Sequence, residues 1–436
     1  MKVVKVGLLG LGTVGGGTVN VLTKNAQDIS RRSGCEIVVS SASARDITRP
    51  RICNTDTLHL TTDSQEIIND PDVQIVVELM GGIEPAKSLI LEALSKGKHV
   101  VTANKALIAN HGNELFVAAA ENKVTLAYEA AIAGGIPIVK AMREGLSANS
   151  IEWLAGIING TGNFILTEMF EKGSVFSDVL KEAQELGYAE ADPEYDVEGI
   201  DAAHKLCILA SLAFGMPLNF ERVYTEGIST VTPLDIAYAD ELGYRVKHLG
   251  VARKTKMGVE MRVHPTLIPE KRLIANVDGV MNAVVVKGNA VGPTLYYGAG
   301  AGAEATASAV IADIIDICRD LDTPAVNAVP ALGFATSGLE ELPILPIESI
   351  TTAFYLRLSV EDKPGVMAAI TKILADHGIS IEAVQQKEPE QHGDKAQVIL
   401  LTDSVVEKSL INALTEIESL DSINQPAVRI RVESLQ

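Results

Sequence analysis

The sequence predicts an α/β protein in three parts: a doubly wound parallel sheet, an α+β domain with a mixed sheet, and a C-terminal βαββαβ sandwich. Three observations carry that reading. Strand-like and helix-like segments alternate through residues 1–130. A second group of strand-like segments follows, around an acidic, turn-rich stretch. Beyond a linker at 336–350, which carries Pro343 and Pro346, the strand and helix pattern restarts. Composition agrees: 47% of residues are hydrophobic but only 4% aromatic, the excess being Ala, Val, Ile and Leu, which suits buried parallel strands and Ala-rich helices.

The first element is a β-branched strand, Val3–Leu9, followed at once by Gly10-Leu11-Gly12-Thr13-Val14-Gly15 and a helix to about Lys24. A GxGxxG motif has meaning in that context, between a strand and a helix. Gly10 permits the tight turn, Gly12 lets backbone approach a pyrophosphate, and Gly15 allows close packing of helix on strand. The helix start offers unpaired N–H groups to the phosphates. This is a Rossmann-type NAD(P) site. A second strand, Glu36–Ser41, leads to Ala44-Arg45-Asp46. An acid there favours NAD and a basic residue accommodates a 2′-phosphate, so the signal is divided, with Arg45 tipping it towards NADP. Further strands fit Val73–Leu79, His99–Thr102 and Val124–Glu129, with a helix Pro85–Ser95 between them. Ligands of such sheets bind at the carboxyl ends of the strands, where Gly81-Gly82 and Thr102-Ala103-Asn104-Lys105 lie. That places Lys105 within reach of cofactor or substrate.

Several classes are excluded. A net charge of −19 disfavours nucleic acid or an anionic membrane as partner. Four scattered cysteines (Cys35, Cys53, Cys207, Cys318) form no CxxC pair, so neither a disulfide framework nor a zinc site is indicated. The apolar run at the N-terminus is short and broken by Lys5 and glycines, and reads as a strand rather than a signal peptide. No run reaches the roughly 18 apolar residues needed to span a bilayer. A cytoplasmic protein is expected.

Ala130–Pro137 is a small-residue turn that could be a hinge or present carbonyls to a cation. A strand from Trp153 to Ile158 ends in Asn159-Gly160-Thr161-Gly162-Asn163, expected to launch a helix from Phe164. Leu267–Ile274 and Val280–Lys287 are strand-like, and the glycine-rich loop Gly298–Ala303 feeds a helix Ala305–Cys318. That helix should return to the first domain, its start at Gly302 near the nicotinamide half. The most suggestive stretch is Ala183–Lys205, with seven carboxylates against one lysine. Gly187, Pro193 and Gly199 break it into turns, so the acids cannot form one helical face. Asp201 and Lys205 then stand four apart on a helix. Leu209 and Leu212 continue that face, placing the lysine on a half-buried stripe. An acidic loop delivered to such a lysine suits a small polar, cationic substrate.

Over its whole length the chain resembles the bacterial homoserine dehydrogenases. Ala183, Gly187, Tyr188, Asp192, Pro193, Asp196, Gly199, Asp201 and Lys205 match that family's signature in register. The dinucleotide motif, the TANK segment ending at Lys105, the EAAIAGGIP turn and the Asn159-Gly160-Thr161 loop support it, while Gly162 departs from the expected threonine. The resemblance implies reversible NAD(P)H-dependent reduction of L-aspartate 4-semialdehyde to L-homoserine, on the route to threonine, isoleucine and methionine. It implies Lys205 as proton donor, Asp201 orienting it and Lys105 supporting it beside the nicotinamide. Glu190 would hold the substrate ammonium with Asp196 nearby, and Tyr188, Gly160 and Thr161 would complete the substrate site. The cofactor would meet Gly10, Gly12, Thr13, Val14, Gly15, Arg45, Lys105, Gly187 and Gly302. A monovalent cation, Na+, is implied at Glu129, Ile132, Gly134 and Ile136, mostly through backbone carbonyls. Glu185, Glu194 and Glu198 are left to solvent.

The last part reads as strand Phe354–Val360, helix to His377, strand Ile379–Gln386, a charged turn EPEQHGD, strand Ala396–Thr402, helix Val405–Glu418 and strand Val428–Val432. With Asp362, Pro364, Gly365 and Val366 in the turn after the first strand, it resembles an ACT domain, which implies an amino-acid effector, threonine first, or else a purely dimerising role. The expected division is 1–130 with a returning helix at about 303–335 for the cofactor, 131–302 for substrate and dimerisation, 336–350 as linker and 351–436 as the ACT domain. A homodimer or homotetramer is expected. Rival readings are an inactive amino-acid sensor on this scaffold and a dehydrogenase of another small aldehyde. No damaged dinucleotide loop or missing lysine supports the sensor, and no cysteine sits where an acyl-enzyme would need one. No kinase-like segment precedes the first strand, so the form fused to aspartokinase is not expected.

Overall fold

The computed structural model describes residues 1–321, 329–387 and 395–436. It forms two compact units: Met1–Gly160, Asp201–Val223 and Val280–Leu342 make the first, and Thr161–Ile200, Tyr224–Gly279 and Pro343–Gln436 the second.

The first unit carries a six-stranded sheet, β1 (Lys2–Leu9), β2 (Cys35–Ser43), β3 (His59–Thr61), β4 (Val73–Glu78), β5 (His99–Thr102) and β6 (Leu126–Ala127). Every pairing is parallel and the order is β3-β2-β1-β4-β5-β6, the doubly wound arrangement of dinucleotide-binding sheets. Val4, Val6 and Leu8 of β1 and Ile75, Val76 and Val77 of β4 have no exposed surface, as strands covered on both faces require. The last strand is shorter than the expected Val124–Glu129. The chain instead turns at Glu129, whose N–H donates to Asp313 (2.8 Å).

Three antiparallel strands, Ile151–Ile157, Met281–Gly288 and Gly292–Ala299, belong to the same unit. The helix after them spans Ala303–Asp320, and Val310, Ile311, Ile314 and Ile317 share one core with Val4, Val6 and Leu8 of β1. Each such fully buried side chain contributes about 1.5–3 kcal/mol. The approach is so close that a Cβ on Gly17 would lie 2.4 Å from the Ala303 carbonyl oxygen.

In the second unit Tyr244–Lys254 and Val259–Pro269 form an antiparallel pair. Val428–Val432 adds parallel to the latter strand, and Thr351–Glu361, Lys395–Thr402 and Ile381–Gln386 continue the sheet. The C-terminal module therefore has the ferredoxin-like strand order, yet its sheet is continuous with that of the preceding domain. The expected strand Leu267–Ile274 is corrected: the strand is Val259–Pro269, and Leu273–Asn276 is a 3₁₀ turn. Tyr244–Lys254 escaped the sequence reading because Lys247, His248, Arg262 and His264 are buried in this sheet, so polar letters stand at core positions. The charged turn at 388–394 lies outside the described residues, as do 322–328.

One face of the C-terminal sheet packs under the helices Val366–Asp376 and Glu407–Glu418, through Leu356, Leu358, Val398 and Leu400. On the other, Tyr355, Ile399, Leu401 and Ile430 share a core with Val179, Ala183, Ala189 and Val197. The acidic signature segment thus rests on the C-terminal module. Ion pairs also join the module to the domain before it: Arg431 binds Glu407 (2.9 Å from Nε) and Glu226 (2.8 Å), and Arg262 meets Glu260 (3.1 Å) and Glu433 (2.7 Å). Asp235 likewise accepts from Arg357 (2.6 Å) and Tyr355 (3.1 Å).

His264 lies inside this network. Arg262 can only donate, so at 2.8 Å the imidazole Nε2 must accept and the ring is neutral. Burial first, then the charges of Arg431 and Arg262, hold its pKa well below the ordinary histidine value. The unfolded chain takes up that proton below about pH 6.5 while the folded one does not, so stability is present above that pH and falls as acid is added. We expect urea midpoints to drop between about pH 7 and pH 5.5, at up to about 1.4 kcal/mol per pH unit for this group. His264→Gln should flatten that slope, and an unchanged slope would remove the assignment.

Candidate active site

At the end of β1 the glycine motif has the shape its spacing implies. Gly10 sits at φ 109°, and a Cβ there would meet the Leu79 carbonyl at 2.8 Å. A Cβ on Gly15 would lie 2.3 Å from the Gly10 oxygen, so the helix start can close on the strand end only with glycine. Gly12 is different, because a Cβ there would meet nothing within 4 Å. Gly12 caps the helix Thr13–Lys24 with no side-chain hydrogen bond, and Gly12 and Thr13 are exposed beside half-buried Val14. An open backbone at a helix N-terminus fits a pyrophosphate. Beyond β2, Arg45 is exposed, whereas the Asp46 carboxylate accepts from the Thr48 N–H (2.9 Å) and hydroxyl (2.7 Å). Sequence reading missed Arg51, which donates to the Leu11 carbonyl at 2.7 Å and ties this loop to the glycine turn.

The ends of β4 and β5 are held by Glu78, fully buried, which accepts from the N–H groups of Met80 (2.7 Å) and Gly81 (3.1 Å) and the Thr102 hydroxyl (2.7 Å). Asn104 donates to the Gly82 carbonyl (2.6 Å) and caps the helix Lys105–Glu121 by accepting from Leu107 N–H (3.1 Å). Lys105 is therefore the first helical residue, and its ammonium lies 2.9 Å from Asp201 Oδ1.

Asp201 and Lys205 lie one turn apart on the helix Ile200–Phe214. Lys205 Nζ donates to Asp201 Oδ2 (2.6 Å) and to the Ile158 carbonyl (2.6 Å), and Asn159 donates to the same carboxylate oxygen (2.9 Å). The expected half-buried stripe is corrected: every residue from Asp201 to Phe214 is buried, and Lys205 is 8% exposed. An Ala- and Leu-rich helix can be covered on all sides, and the lysine is tolerated there because its charge is paired. Burial disfavours ionised Asp201, but the ammoniums of Lys205 and Lys105 outweigh it and hold the carboxyl well below the usual carboxylate range. The two ammoniums thus meet the two oxygens of one carboxylate, Lys105 at Oδ1 and Lys205 at Oδ2.

The other signature residues belong to the second unit. The Thr161 hydroxyl donates to the Tyr188 carbonyl (2.7 Å), and the Tyr188 ring meets Phe164 edge-on at 5.0 Å. The helix of this segment begins at Gly160, not Phe164, so the polar loop is its first turn. Glu190 is exposed, its carbonyl taking a bond from Gln184 (3.0 Å); Asp196 is half-buried in a short helix and Gly187 sits at φ 75°. Glu185 and Glu194 are exposed as expected, but Glu198 is not a solvent group. It accepts from the Ser229 hydroxyl (2.9 Å) and packs so tightly on Gly227 that a Cβ there would be 2.2 Å from its oxygen.

The turn after β6 is closed by the Ile136 N–H, which donates to the Ala133 carbonyl (3.0 Å). Ala133 and Gly134 are consecutive left-handed residues at φ 51° and 52°, next to Ile132 and Ile136. The Glu129 carboxylate accepts from the N–H groups of Val139 and Lys140 (2.9 Å each), and burial followed by the charge of Asp313 pushes its pKa up to about 7. Among the described residues no group of three or more His, Cys, Asp or Glu could hold a metal ion, so a cation at this turn would depend on carbonyl oxygens. Gly302, at φ 121°, caps the helix Ala303–Asp320. In the C-terminal module Asp362, Pro364 and Gly365 are exposed, Gly365 at φ 95° opens the helix Val366–Asp376, and Val366 is buried. Among the described residues no helix is long and apolar enough to cross a membrane.

A doubly wound sheet with an open glycine turn, and a buried lysine–aspartate pair in the same unit, mark an NAD(P)-dependent oxidoreductase. Models of known families match the chain as "Homoserine dehydrogenase, NAD binding domain" over residues 10–129, "Homoserine dehydrogenase" over 137–315 and "ACT domain" over 354–421. It is 58% identical over 436 residues to the homoserine dehydrogenase of Pseudomonas aeruginosa and 54% to that of Neisseria gonorrhoeae, covering 100% of each chain in both cases. The crystal structure of a Thiobacillus denitrificans homoserine dehydrogenase superposes with a TM-score of 0.95 at 57% identity, covering 100% of this chain and 99% of that one. A hyperthermophilic archaeal homoserine dehydrogenase in complex with NADPH gives 0.62 at 29% identity, over 74% of this chain and 99% of that one. The chain belongs to the homoserine dehydrogenase family.

Proposed function

We propose that Lys205 is the proton donor in the reduction of L-aspartate 4-semialdehyde to L-homoserine, and the acceptor in the reverse direction. The observation that carries this is the cluster of buried Lys205, Asp201 and Asn159 with half-buried Lys105. The nicotinamide dinucleotide, when bound, supplies or takes up the hydride. Reduction builds negative charge on the substrate carbonyl oxygen, which must then be protonated. A lysine held by an ionised carboxylate and a backbone carbonyl is fixed in direction, and the second ammonium, Lys105, adds positive potential for the developing alkoxide. Glu190, with Asp196, Tyr188, Gly160 and Thr161, takes the substrate's α-ammonium and polar groups. Gly10, Gly12, Thr13, Val14, Gly15, Gly187 and Gly302 meet the cofactor.

Arg45 favours NADP: it is exposed beyond β2, and the nearby Asp46 is engaged by Thr48. Loss of one charge-assisted contact to a 2′-phosphate weakens binding about tenfold or more. Arg45→Ala is expected to raise KM for NADP by that factor and leave KM for NAD unchanged; equal changes in both would remove the role. A monovalent cation, Na+, sits on the carbonyls of Glu129, Ile132, Gly134 and Ile136. The Asp362–Val366 turn takes threonine as effector. The division into cofactor, substrate, linker and ACT parts at 1–130 with 303–335, 131–302, 336–350 and 351–436 goes with these roles, in a cytoplasmic homodimer or homotetramer.

Steady-state oxidation of L-homoserine with NAD and NADP in parallel, with and without L-threonine, tests cofactor choice and regulation together. NADP should give the higher kcat/KM, and threonine should lower the rate in wild type but not in Asp362→Asn. Linkage requires that homoserine or cofactor weaken threonine binding by the same factor.

A further inference from the structure

We propose that a cleft at the foot of the C-terminal sheet is a binding site for a free α-amino acid, distinct from the Asp362–Val366 turn. The cleft has a volume of about 590 Å³, within the roughly 300–1,000 Å³ usual for small-molecule sites. Glu270, Lys271 and Arg272, which follow the strand Val259–Pro269, line it together with Glu382, Asp403 and Ser404 of the C-terminal module. Thr351–Ala353, at the start of the strand Thr351–Glu361, also line it, whereas the Asp362–Val366 turn follows that strand's end. At strand rise the two places are roughly 30 Å apart.

The charges of this cleft are unusual for their setting. Neighbouring basic residues are paired: Arg253 with Glu433 (3.1 Å) and Lys247 with Asp278 (2.9 Å). Among the described residues, the side chains of Glu270, Lys271, Arg272, Glu382 and Asp403 make no ion pair or hydrogen bond. Arg272 is half-buried, and its Nε is buried without an acceptor among the described residues. A buried guanidinium N–H left unsatisfied costs free energy that a ligand carboxylate would recover. Both basic residues come from one segment, and the acids Glu382 and Asp403 come from the C-terminal module.

A zwitterion is the ligand that matches this set. Its carboxylate pairs with Arg272 and Lys271, and its ammonium with Asp403 and Glu382, so the bound molecule bridges the module to the strand end. A simple anion would leave the acids opposing it, and a simple amine would leave the guanidinium unpaired. Leu242 and Tyr244, also in the lining, pack on the core that holds Ala183, Ala189 and Val197. Occupancy can therefore bear on the signature segment.

Calorimetric titration of the full chain with each proteinogenic amino acid in turn tests the site. The controls are each ligand's decarboxylated amine and its N-acetyl derivative. At least one amino acid should bind, with affinity reduced about tenfold or more in Arg272→Gln and in Asp403→Asn, and kept in Asp362→Asn. Melting temperature and homoserine oxidation should match wild type in the first two variants, and neither control should bind at this site. Lys271→Gln, at an exposed position, repeats the test without touching a buried group. The proposal fails if no amino acid binds, if the control amine or N-acetyl form binds equally well, or if Arg272→Gln, Lys271→Gln and Asp403→Asn all bind as wild type does. Binding lost only in Asp362→Asn would leave the glycine turn as the effector site and overturn the cleft.

Discussion

Lys205→Ala is expected to lower the rate of homoserine oxidation by about 10²–10⁴-fold, the usual contribution of a positioned proton donor or acceptor, with cofactor affinity unchanged. The variant should fold. Removing the lysine leaves Asp201 bonded to Lys105 (2.9 Å) and Asn159 (2.9 Å), so that carboxylate keeps two partners. Fluorescence titration with the reduced dinucleotide separates the two effects: binding should match wild type while kcat falls. Normal turnover in Lys205→Ala would show that another group moves the proton.

The largest stability effect is expected at Arg431→Met. Arg431 is almost fully buried and donates to Glu407 and Glu226. Glu407, itself fully buried, loses its only charged partner among the described residues. Breaking a buried pair from one side costs about 3–5 kcal/mol, because the remaining charge stays desolvated. Arg431 lies in the last strand and Glu226 in the preceding domain, so the damage should not be confined to the C-terminal module. Hydrogen exchange should rise in the signature segment that shares its core with Tyr355, Ile399, Leu401 and Ile430. Exposed pairs such as Lys372 with Asp376 should show no measurable loss when broken. If Arg431→Met melted like wild type, the module would not be part of the unit's core.

What the sequence made legible was local. The β1–glycine–helix pattern, β5 at His99–Thr102 and the last strand at Val428–Val432 depend on short-range periodicity and turn residues, and they stand where they were read. The lysine–aspartate spacing also fixed a pair that the structure brings to 2.6 Å. What escaped depends on partners far along the chain. Lys105 meets Asp201 across nearly a hundred positions, and no spacing rule announces it. Tyr244–Lys254 looked unlike a strand because its buried Lys247 and His248 are satisfied by Asp278 and the Glu226 carbonyl. Glu198 looked like one more solvated acid until Ser229 and Gly227 folded against it. The linker at 336–350 sets the C-terminal module apart in sequence, and only the pairing of Val428–Val432 with Val259–Pro269 shows that its sheet continues that of the preceding domain.

The most direct measurement is the initial rate of oxidised-dinucleotide reduction by the purified full chain, with L-homoserine compared against L-serine, which is one methylene shorter. Lys205 is held in place by Asp201 and the Ile158 carbonyl, so a substrate one methylene shorter should misplace the reacting atom, at a cost on the order of a hundredfold. Homoserine should turn over, and serine should do so at about one-hundredth of its kcat/KM or less. Equal rates with both, or no turnover of homoserine, would contradict the account.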